Sequence, residues 1–418
     1  MNLRMSILKV LAISSVTCLL ITACSNQSFK DQKADLEKLG DLEPILIKNE
    51  EYFKWEVEKL NEFPQKSEIE EYDLRWKDLH ELDLKNESEK LFLSAFSIDT
   101  IWPSILPDSF DPQEILELNK NPGLNVRKLH EQGITGKNIG IAIIDQALLL
   151  EHEEYQPNIM LYELLHSSDT SAQMHGAAVT SIACGKNIGV APDAKIYYIS
   201  STFGKIEENG EFEIDLKPVA DGIYRVLEMN KHLPEGNKIR VISISIGLNR
   251  ERMGYQEVIE AIEEAKKEGV FVITVSTEEN YNFSLMGLGR HPMSDPDKNS
   301  SYEPGFFFAE SFYLENDFYQ GGDLLFVPMD SRTIAGFTDP KDYAFSRIGG
   351  MSWTCPWLAG MYALCVQVDP EITADEFIQI ALETGHVQNI QHDGKDYKLG
   401  RIIDPEKIIE QLKNKKQG

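Results

Sequence analysis

The sequence predicts an α/β domain with three layers, in which a mostly parallel, twisted sheet lies between two layers of helices. Short apolar runs rich in β-branched residues recur after residue 110, as expected for strands that are buried on both faces. Helical patterns lie between these runs, so strand and helix alternate along the chain. The predicted strands cover 139–145, 195–200, 241–247, 270–276 and 323–328, and the predicted helices cover 175–185, 219–230 and 255–269.

The composition indicates a large folded protein that does not bind nucleic acid. The chain has 418 residues, 42% of them hydrophobic, which is enough for one large core or two medium ones. Its formal net charge is -27, from 68 acidic and 41 basic residues. Phosphate binding needs clustered Lys and Arg, so nucleic acid is excluded as an expected partner. The composition does not determine the oligomeric state.

Residues 1–24 have the pattern of a signal peptide. Arg4 and Lys9 precede the apolar run 10–22, and the tetrad "ITAC" closes it with a small-residue cleavage site. The alternative is an uncleaved membrane span, but the apolar run is shorter than the roughly 20 residues that a bilayer requires. The tetrad resembles the lipobox of bacterial lipoproteins. This resemblance implies that the lipid is attached to Cys24 and holds the protein on the outer face of the bacterial cytoplasmic membrane.

The remaining cysteines predict neither a disulfide framework nor a metal site. Once the signal peptide and the lipidated cysteine are set aside, Cys184, Cys355 and Cys365 remain, an odd and sparse set. The chain has no CxxC pair and no HExxH motif, so zinc is unsupported. We therefore expect no cofactor. A structural calcium ion stays open as an alternative, with no position that the sequence can assign to it.

The segment 25–110 predicts a small, acidic, mostly helical region in front of the α/β domain. It is rich in Glu, Lys and Leu, and its apolar residues recur at helical spacing, which indicates two or three helices. This apolar stripe either packs on a neighbour or belongs to a charged tether. Its members include Leu36, Leu39, Phe53, Trp55, Val57 and Leu60. Three prolines in "TIWPSILPDSFDP" then indicate a boundary, so the predicted α/β domain covers 111–418.

Three residues at the ends of predicted elements are candidates for catalysis, because sites in such sheets lie at the carboxyl ends of the strands. Asp145 ends an apolar strand, where a carboxylate needs a partner. His175 opens a helix whose first turn has small residues. Ser352 lies before a predicted helix N-terminus, where free N–H groups would stabilise an oxyanion. The structural alternatives are a capping Asp145, a packed His175 and an N-capping Ser352.

The surrounding strings resemble the subtilisin-like serine proteases (subtilases, peptidase family S8). "IAIIDQALLLEHEEY" resembles the family's aspartate segment, with His152 at the family's spacing, and "HGAAVTSIACGKNIGVAPDAKIYYIS" resembles its histidine segment. "GGMSWTCPWLAG" resembles its serine segment, with Gly350, Pro356 and Gly360 in register. "VISISIG" resembles the strand that lines the primary specificity pocket. The likeness covers roughly 120–385, and its order excludes an α/β-hydrolase, which runs Ser, Asp, His and uses GxSxG.

The resemblance implies a subtilisin-like fold and a serine-type endopeptidase (EC 3.4.21 class) that cleaves polypeptides. Ser352 would be the nucleophile, His175 the general base and Asp145 the residue that orients the imidazole. The region 25–110 lies where the family often places an inhibitory propeptide. Its removal would also shed a lipid on Cys24, so either it stays as a spacer packed on the enzyme or its cleavage frees a soluble form; we expect retention. Neither the cleaved bond nor the natural substrate follows from the sequence.

The sequence departs from the family after the strand "GVFVITVS". There the family carries Ala-Gly-Asn, whose asparagine donates to the oxyanion, whereas ungapped register here places Glu278. Asn280 or Asn282 would supply the amide if the loop were longer. Trp353 and Trp357 also replace smaller or polar residues, which predicts a narrowed or reshaped cleft. The alternative functions are therefore a catalytically impaired subtilisin-like protein that binds peptides and, less well supported, a solute-binding lipoprotein, which leaves the triad strings unexplained.

Overall fold

The computed structural model describes residues 56–67, 70–167, 170–206, 212–315, 319 and 322–416. These residues all belong to one compact unit. The predicted signal peptide and the predicted lipid attachment at Cys24 lie outside them, as does the segment 25–55. Within the described ranges, none of the helices combines the length and the apolar character needed to cross a membrane.

The strands and helices are numbered here in chain order. The strands are β1 Glu58–Lys59, β2 Tyr72–Asp73, β3 Lys77–Asp78, β4 Ser94–Ser97, β5 Gly140–Asp145, β6 Ile159–Leu164, β7 Lys195–Ser200, β8 Gly204–Ile206, β9 Phe212–Ile214, β10 Ile239–Ser243, β11 Phe271–Ile273, β12 Ser284–Arg290, β13 Tyr302–Pro304, β14 Leu324–Pro328, β15 Arg332–Ala335, β16 Tyr343–Ser346, β17 His386–His392 and β18 Lys395–Ile402. The helices are α1 Ser88–Phe92, α2 Pro112–Leu118, α3 Val126–Glu131, α4 Met174–Cys184, α5 Lys217–His232, α6 Tyr255–Lys267, α7 Glu278–Tyr281, α8 Ala309–Leu314, α9 Thr354–Val368, α10 Ala374–Thr384 and α11 Pro405–Lys415.

The central sheet has five parallel strands in the order β11-β10-β5-β7-β6. Four of the five predicted strands, β5, β7, β10 and β11, lie in it. Strand β5 is buried along its whole length, as its apolar pattern predicts for a strand covered on both faces. The sheet ends in polar residues at its carboxyl edge, where Asp145 lies opposite Ser200. The predicted α/β class is confirmed.

Two pairs of helices cover the sheet. Helices α4 and α9 pack against each other and against β5 and β10, and helices α5 and α6 form the second pair. The approach of α9 to α4 is close at Gly360, where an added Cβ would lie 2.6 Å from Val190 Cβ and 3.1 Å from the Ala183 carbonyl oxygen. Glycine is therefore required at this crossing. All three predicted helices are present, as α4, α5 and α6.

The fifth predicted strand, β14, lies in a different sheet from the other four. It pairs in parallel with β12 in a second sheet of order β13-β12-β14-β18-β17. The outer edge of β11 meets Tyr281 of helix α7, and the Val272 N–H donates to the Tyr281 hydroxyl at 3.0 Å. Tyr281 also packs edge-on against Phe271, with ring centroids 4.7 Å apart. A side chain thus occupies an edge position that a sixth strand would need.

The expectation of a mostly helical region is wrong for the described part of 25–110. That part contains the four short strands β1 to β4 and one helix of five residues, α1. Strand β4 pairs with β16, which places it in a third sheet of order β15-β16-β4-β2. Tertiary pairing decides the outcome, because β4 is buried at every position between β16 and β2. Of the predicted helical stripe, Val57 is 41% exposed, whereas Leu60 packs against a core.

That core also crosses the predicted boundary at residue 110. Its fully or nearly buried members come from both sides: Leu74, Leu79, Leu84, Leu91, Phe96, Phe110, Ile115, Leu116 and Phe345. The proline-rich segment contributes Trp102, whose ring packs edge-on against Phe96 at 5.3 Å. Residues 56–110 and the α/β domain therefore share one hydrophobic cluster, and separating them would expose it to water.

Candidate active site

Asp145 and His175 form a hydrogen-bonded pair at the carboxyl edge of the central sheet. His175 is the second residue of α4, and its Nδ1 lies 2.7 Å from Asp145 Oδ1. The same oxygen accepts the Gln146 N–H at 2.8 Å. The Asp145 side chain is 1% exposed and the His175 side chain 24%. The buried Asp145 carboxylate thus binds Nδ1 of an imidazole that is itself partly exposed to solvent.

Small residues bring α4 close enough to make this pair. An added Cβ on Gly176 would lie 2.6 Å from the Tyr198 hydroxyl oxygen and 2.7 Å from the Gln146 carbonyl oxygen. The Gln173 N–H donates to the Ala147 carbonyl at 2.8 Å, which attaches the start of α4 to the chain just after β5. The small side chains predicted to let His175 approach another element do so here.

The environment of His175 determines both its tautomer and its pKa. Donation from Nδ1–H to the carboxylate leaves Nε2 as the basic nitrogen of the neutral ring. Burial lowers the pKa of His175, but the charge of Asp145 and the hydrogen bond to it raise that pKa by more, so it lies above its ordinary value of 6.5. His175 is therefore a stronger base than a free imidazole.

Ser352 lies in a tight turn that leads into α9. Gly350 has φ of +71°, a backbone conformation that favours glycine, and the 3₁₀ turn Met351–Trp353 follows it. The Trp353 N–H donates to the Gly350 carbonyl at 3.1 Å, and α9 begins at Thr354. Within the described residues the backbone N–H of Ser352 has no acceptor. It is thus a free donor beside the serine hydroxyl, at the start of a helix.

Ser245 connects this turn to the central sheet. Ser245 Oγ donates to the Ser352 carbonyl oxygen at 2.6 Å, and Ser352 Oγ lies 3.4 Å from the Ser245 carbonyl oxygen. The predicted strand 241–247 contains Ser245, but this serine was not among the predicted site residues. The signal that could have found it is a small polar residue just after an apolar strand, since Ser245 lies two residues beyond the end of β10.

The structure brings the elements of the three candidates together, although the described residues do not close a hydrogen bond between Ser352 and His175. The turn that carries Ser352 packs against α4. The negative charge of Asp145 is close enough to Cys355, in the first turn of α9, to contribute to the raised pKa of that thiol. Hydrogen bonds of this kind are often long in proteins without substrate and tighten when substrate binds. The arrangement can support acyl transfer if Ser352 Oγ turns from the Ser245 carbonyl towards the imidazole.

Comparison with known proteins shows which family this region resembles. Residues 136–306 match the model of the Subtilase family. The matched stretch contains Asp145 and His175 and ends before Ser352. This stretch of the chain is similar to a subtilase domain.

Its relatives are distant. The chain is 24% identical over 332 residues to the minor extracellular protease Epr of Bacillus subtilis (strain 168), a match that covers 76% of this chain and 46% of the relative, so the chain spans about half the length of that relative. Among solved structures, the prenylagaramide maturation protease PagA is 16% identical, with 69% of this chain and 98% of that chain covered and a TM-score of 0.47. A cold adapted subtilisin-like serine proteinase is 17% identical, with 63% and 89% covered and a TM-score of 0.42.

The structure places the three candidate oxyanion residues of the loop after β11 in and beside a short helix. Glu278, at the position predicted by ungapped register for the oxyanion donor, is exposed and begins helix α7. Asn280 is only 6% exposed, and its carbonyl oxygen accepts from Lys266 Nζ at 3.2 Å, near the C-terminus of α6. Asn282 ends α7 with φ of +56° and is exposed. Helix α7 packs beside β11 through Tyr281.

The two tryptophans of the serine segment do not narrow a cleft as predicted. Trp357 is fully buried in α9, and its Nε1–H donates to the Pro122 carbonyl at 2.9 Å. Trp353 is 4% exposed, and its Cε3 lies 2.7 Å from where a Cβ on Gly349 would stand. Both rings pack inside the domain. Gly349 has no side chain and so leaves room for the Trp353 ring, and Trp357 lies on a buried part of α9.

Other residues of the family-like strings have structural roles. His152 is fully buried; its Nε2–H donates to the Asp342 carbonyl at 2.7 Å, and its Nδ1 accepts the Glu154 N–H at 3.2 Å. Burial lowers the pKa of His152, so the ring stays neutral. Cys355 is also fully buried, and burial raises the pKa of its thiol to about 12. A thiol of this kind is inert at neutral pH.

Metal ligands do not gather anywhere in the part of the chain that the structure describes. No group of three or more His, Cys, Asp or Glu side chains is placed there to hold an ion. The three cysteines Cys184, Cys355 and Cys365 are free and buried.

Proposed function

We propose that this subtilase domain is a serine endopeptidase that hydrolyses peptide bonds through Asp145, His175 and Ser352. The observation that carries the proposal is the 2.7 Å hydrogen bond between buried Asp145 and His175, at the edge of the sheet where the Ser352 turn packs. The match of residues 136–306 to the Subtilase family model supports the same chemistry for this site.

In the proposed reaction Ser352 Oγ attacks the carbonyl carbon of a peptide bond, and its proton passes to His175 Nε2. A Ser352 ester of the acyl half forms, the C–N bond breaks, and the amine leaves with the proton from His175. Water then attacks the ester with His175 as base and releases the acid. Asp145 keeps the Nδ1 proton on the side away from the serine and stabilises the imidazolium. The Ser352 backbone N–H is a donor for the oxyanion.

A fluorophosphonate probe tests the proposal directly. The purified chain is expected to form one covalent adduct, seen by intact-mass spectrometry, and the Ser352→Ala variant none. Labelling that is absent from the wild type, or that persists in Ser352→Ala, would contradict a serine nucleophile at this position.

Two observations favour a second candidate, a subtilisin-like module that binds peptides with little or no catalysis. The family's oxyanion asparagine is replaced at Glu278, and a carboxylate cannot donate unless it is protonated. Ser352 Oγ also lies against the Ser245 carbonyl. Losing one oxyanion donor costs about 100- to 1,000-fold in rate, so such an enzyme would be slow before it was inactive. The labelling experiment separates the two, because a module without a reactive serine would bind peptides and leave the probe unreacted.

The pH dependence of activity is expected to follow His175. The neutral imidazole is the active base, so kcat/KM should fall as the pH drops through the pKa of His175. Since Asp145 holds that pKa above its ordinary value of 6.5, the midpoint should also lie above 6.5. The measurement is kcat/KM for a peptide substrate between about pH 5 and pH 9. A rate that stays constant through about pH 5 would count against His175 as the base.

We further propose that the enzyme is extracytoplasmic, anchored to the bacterial membrane through lipidated Cys24, and that 25–110 remains attached. The shared core of residues 56–110 and the α/β domain supports retention. The extracellular location named for the Bacillus subtilis relative is consistent with export. Mass spectrometry of the protein from the membrane fraction is expected to find a diacylated N-terminal Cys24 followed by an intact 25–110. A mature chain that begins near residue 111 would overturn retention.

A further inference from the structure

Two buried carboxylates from distant parts of the chain hold the backbone just before the Ser352 turn. Glu71 Oε1 accepts the N–H groups of Arg347 and Ile348, at 2.8 and 2.9 Å. Asp330 Oδ1 accepts the next N–H, that of Gly349, at 2.9 Å. Three consecutive N–H groups are therefore bound to side chains rather than to a neighbouring strand.

This arrangement answers a local need of the backbone. Strand β16 ends at Ser346. The Arg347 carbonyl still accepts the Ser331 N–H at 3.0 Å, but the N–H groups of Arg347, Ile348 and Gly349 are bonded to side chains. A buried backbone N–H without an acceptor costs free energy comparable to a lost hydrogen bond. Glu71 is 5% exposed and Asp330 2%, so water does not compete well for these contacts.

The carboxylates destabilise the folded protein when they are ionised. Burial raises the pKa of Glu71 to about 7, against the opposing effects of Arg75 and the two N–H donors, and it raises the pKa of Asp330 to about 6. A carboxyl whose pKa is higher in the folded than in the unfolded state lowers the free energy of unfolding as the pH rises through that interval. An ionised Glu71 thus lowers the free energy of unfolding, so stability alone does not explain an acidic residue at this position.

The bound segment transmits its position to Ser352. Gly349 packs so tightly that an added Cβ would lie 2.3 Å from the Met329 carbonyl oxygen and 2.7 Å from Trp353 Cε3. Gly350 then turns the chain, and Ser352 follows two residues later. A shift of the segment before the turn would therefore also move the Ser352 hydroxyl. A displacement of about 1 Å in a reacting group can lower the rate about 100-fold.

We propose that Glu71 is a positioning residue for the nucleophile: its carboxylate oxygen, bound to the N–H groups of Arg347 and Ile348, sets the turn that presents Ser352. The inference rests on the proposed function and adds to it a residue from the N-terminal region, 281 residues before the serine in the chain. The region 56–110 then helps to position the active site, and its removal would displace Ser352.

A nearly isosteric pair of variants tests the role of the oxygen acceptor. Glu71→Gln keeps a carbonyl oxygen for the two N–H groups, and Glu71→Met keeps the length without an acceptor. The rate of fluorophosphonate labelling, together with kcat and KM for a peptide, is measured for both and for the wild type. We expect Glu71→Gln to remain within about threefold of the wild-type labelling rate and Glu71→Met to fall about 10- to 100-fold, mainly in kcat.

Controls separate positioning from loss of stability. Leu84→Ala removes a core side chain of the same region, 2% exposed, and should lower the melting temperature while labelling at the wild-type rate well below it. If Glu71→Met does not fold, Glu71→Asp, which draws the acceptor back by one methylene, replaces it and should also label slowly. Wild-type labelling by an acceptor-free or shortened variant, or equal losses in Glu71→Gln and Glu71→Met, would overturn the proposal. A wild-type chain that does not label would instead refute the proposed function.

Discussion

Replacing Ser352 by alanine is expected to lower kcat for peptide hydrolysis by about a million-fold, the loss that removal of a triad nucleophile produces. Alanine has no hydroxyl to form the acyl-enzyme, so only substrate binding and the oxyanion donors would remain to promote attack by water. The experiment compares initial rates of wild type and Ser352→Ala on one peptide, with active-site titration to exclude wild-type contamination.

Ser243→Ala is the matched control for that substitution. Ser243 is a buried serine at the end of β10, and its hydroxyl has no hydrogen-bond partner among the described residues. Its replacement should therefore leave both kcat and the melting temperature close to wild type. Comparable activity in Ser352→Ala and Ser243→Ala would contradict the role assigned to Ser352.

Asp145→Asn is expected to reduce kcat by about 10,000-fold with little change in fold. Asp145 Oδ1 accepts both the Gln146 N–H and the imidazole Nδ1–H, and an asparagine amide group turned towards the ring would favour the wrong tautomer. Nε2 would then carry the proton and could not accept one from Ser352. The pH profile provides a second measurement, because loss of the Asp145 charge should move the His175 midpoint to lower pH.

Asp221→Asn is the control for this second prediction. Asp221 also pairs with a histidine, since its Oδ2 lies 2.9 Å from His166 Nε2, but both side chains are about two-fifths exposed. Exposed pairs contribute little, so this variant should retain wild-type rates. An equal loss in the two aspartate variants would indicate a general effect of charge rather than the orientation of His175.

Local patterns predicted the elements whose hydrophobic period is clear. Strands β5 and β7 and helix α6 were found close to their predicted bounds, because a fully apolar run and a helical stripe each depend on residues near in sequence. The expectation that 25–110 is mostly helical was wrong for the described residues from 56 onward, where four short strands form and β4 pairs with β16. Pairing partners far apart in the chain leave no periodic trace that distinguishes a short strand from a fragment of helix.

For the candidate site, too, the sequence predicted the residues and the tertiary structure decided their contacts. The sequence by itself identified Asp145, His175 and Ser352, since each stands at the end of a local element and within a family-like string. Only the tertiary structure decided that His175 binds Asp145, that Ser352 rests on Ser245, that the tryptophans turn inward, and that Glu71 supports the turn. Those contacts join residues up to 277 positions apart, and their energies depend on burial and on distances of about 3 Å, which exist only once the chain has folded.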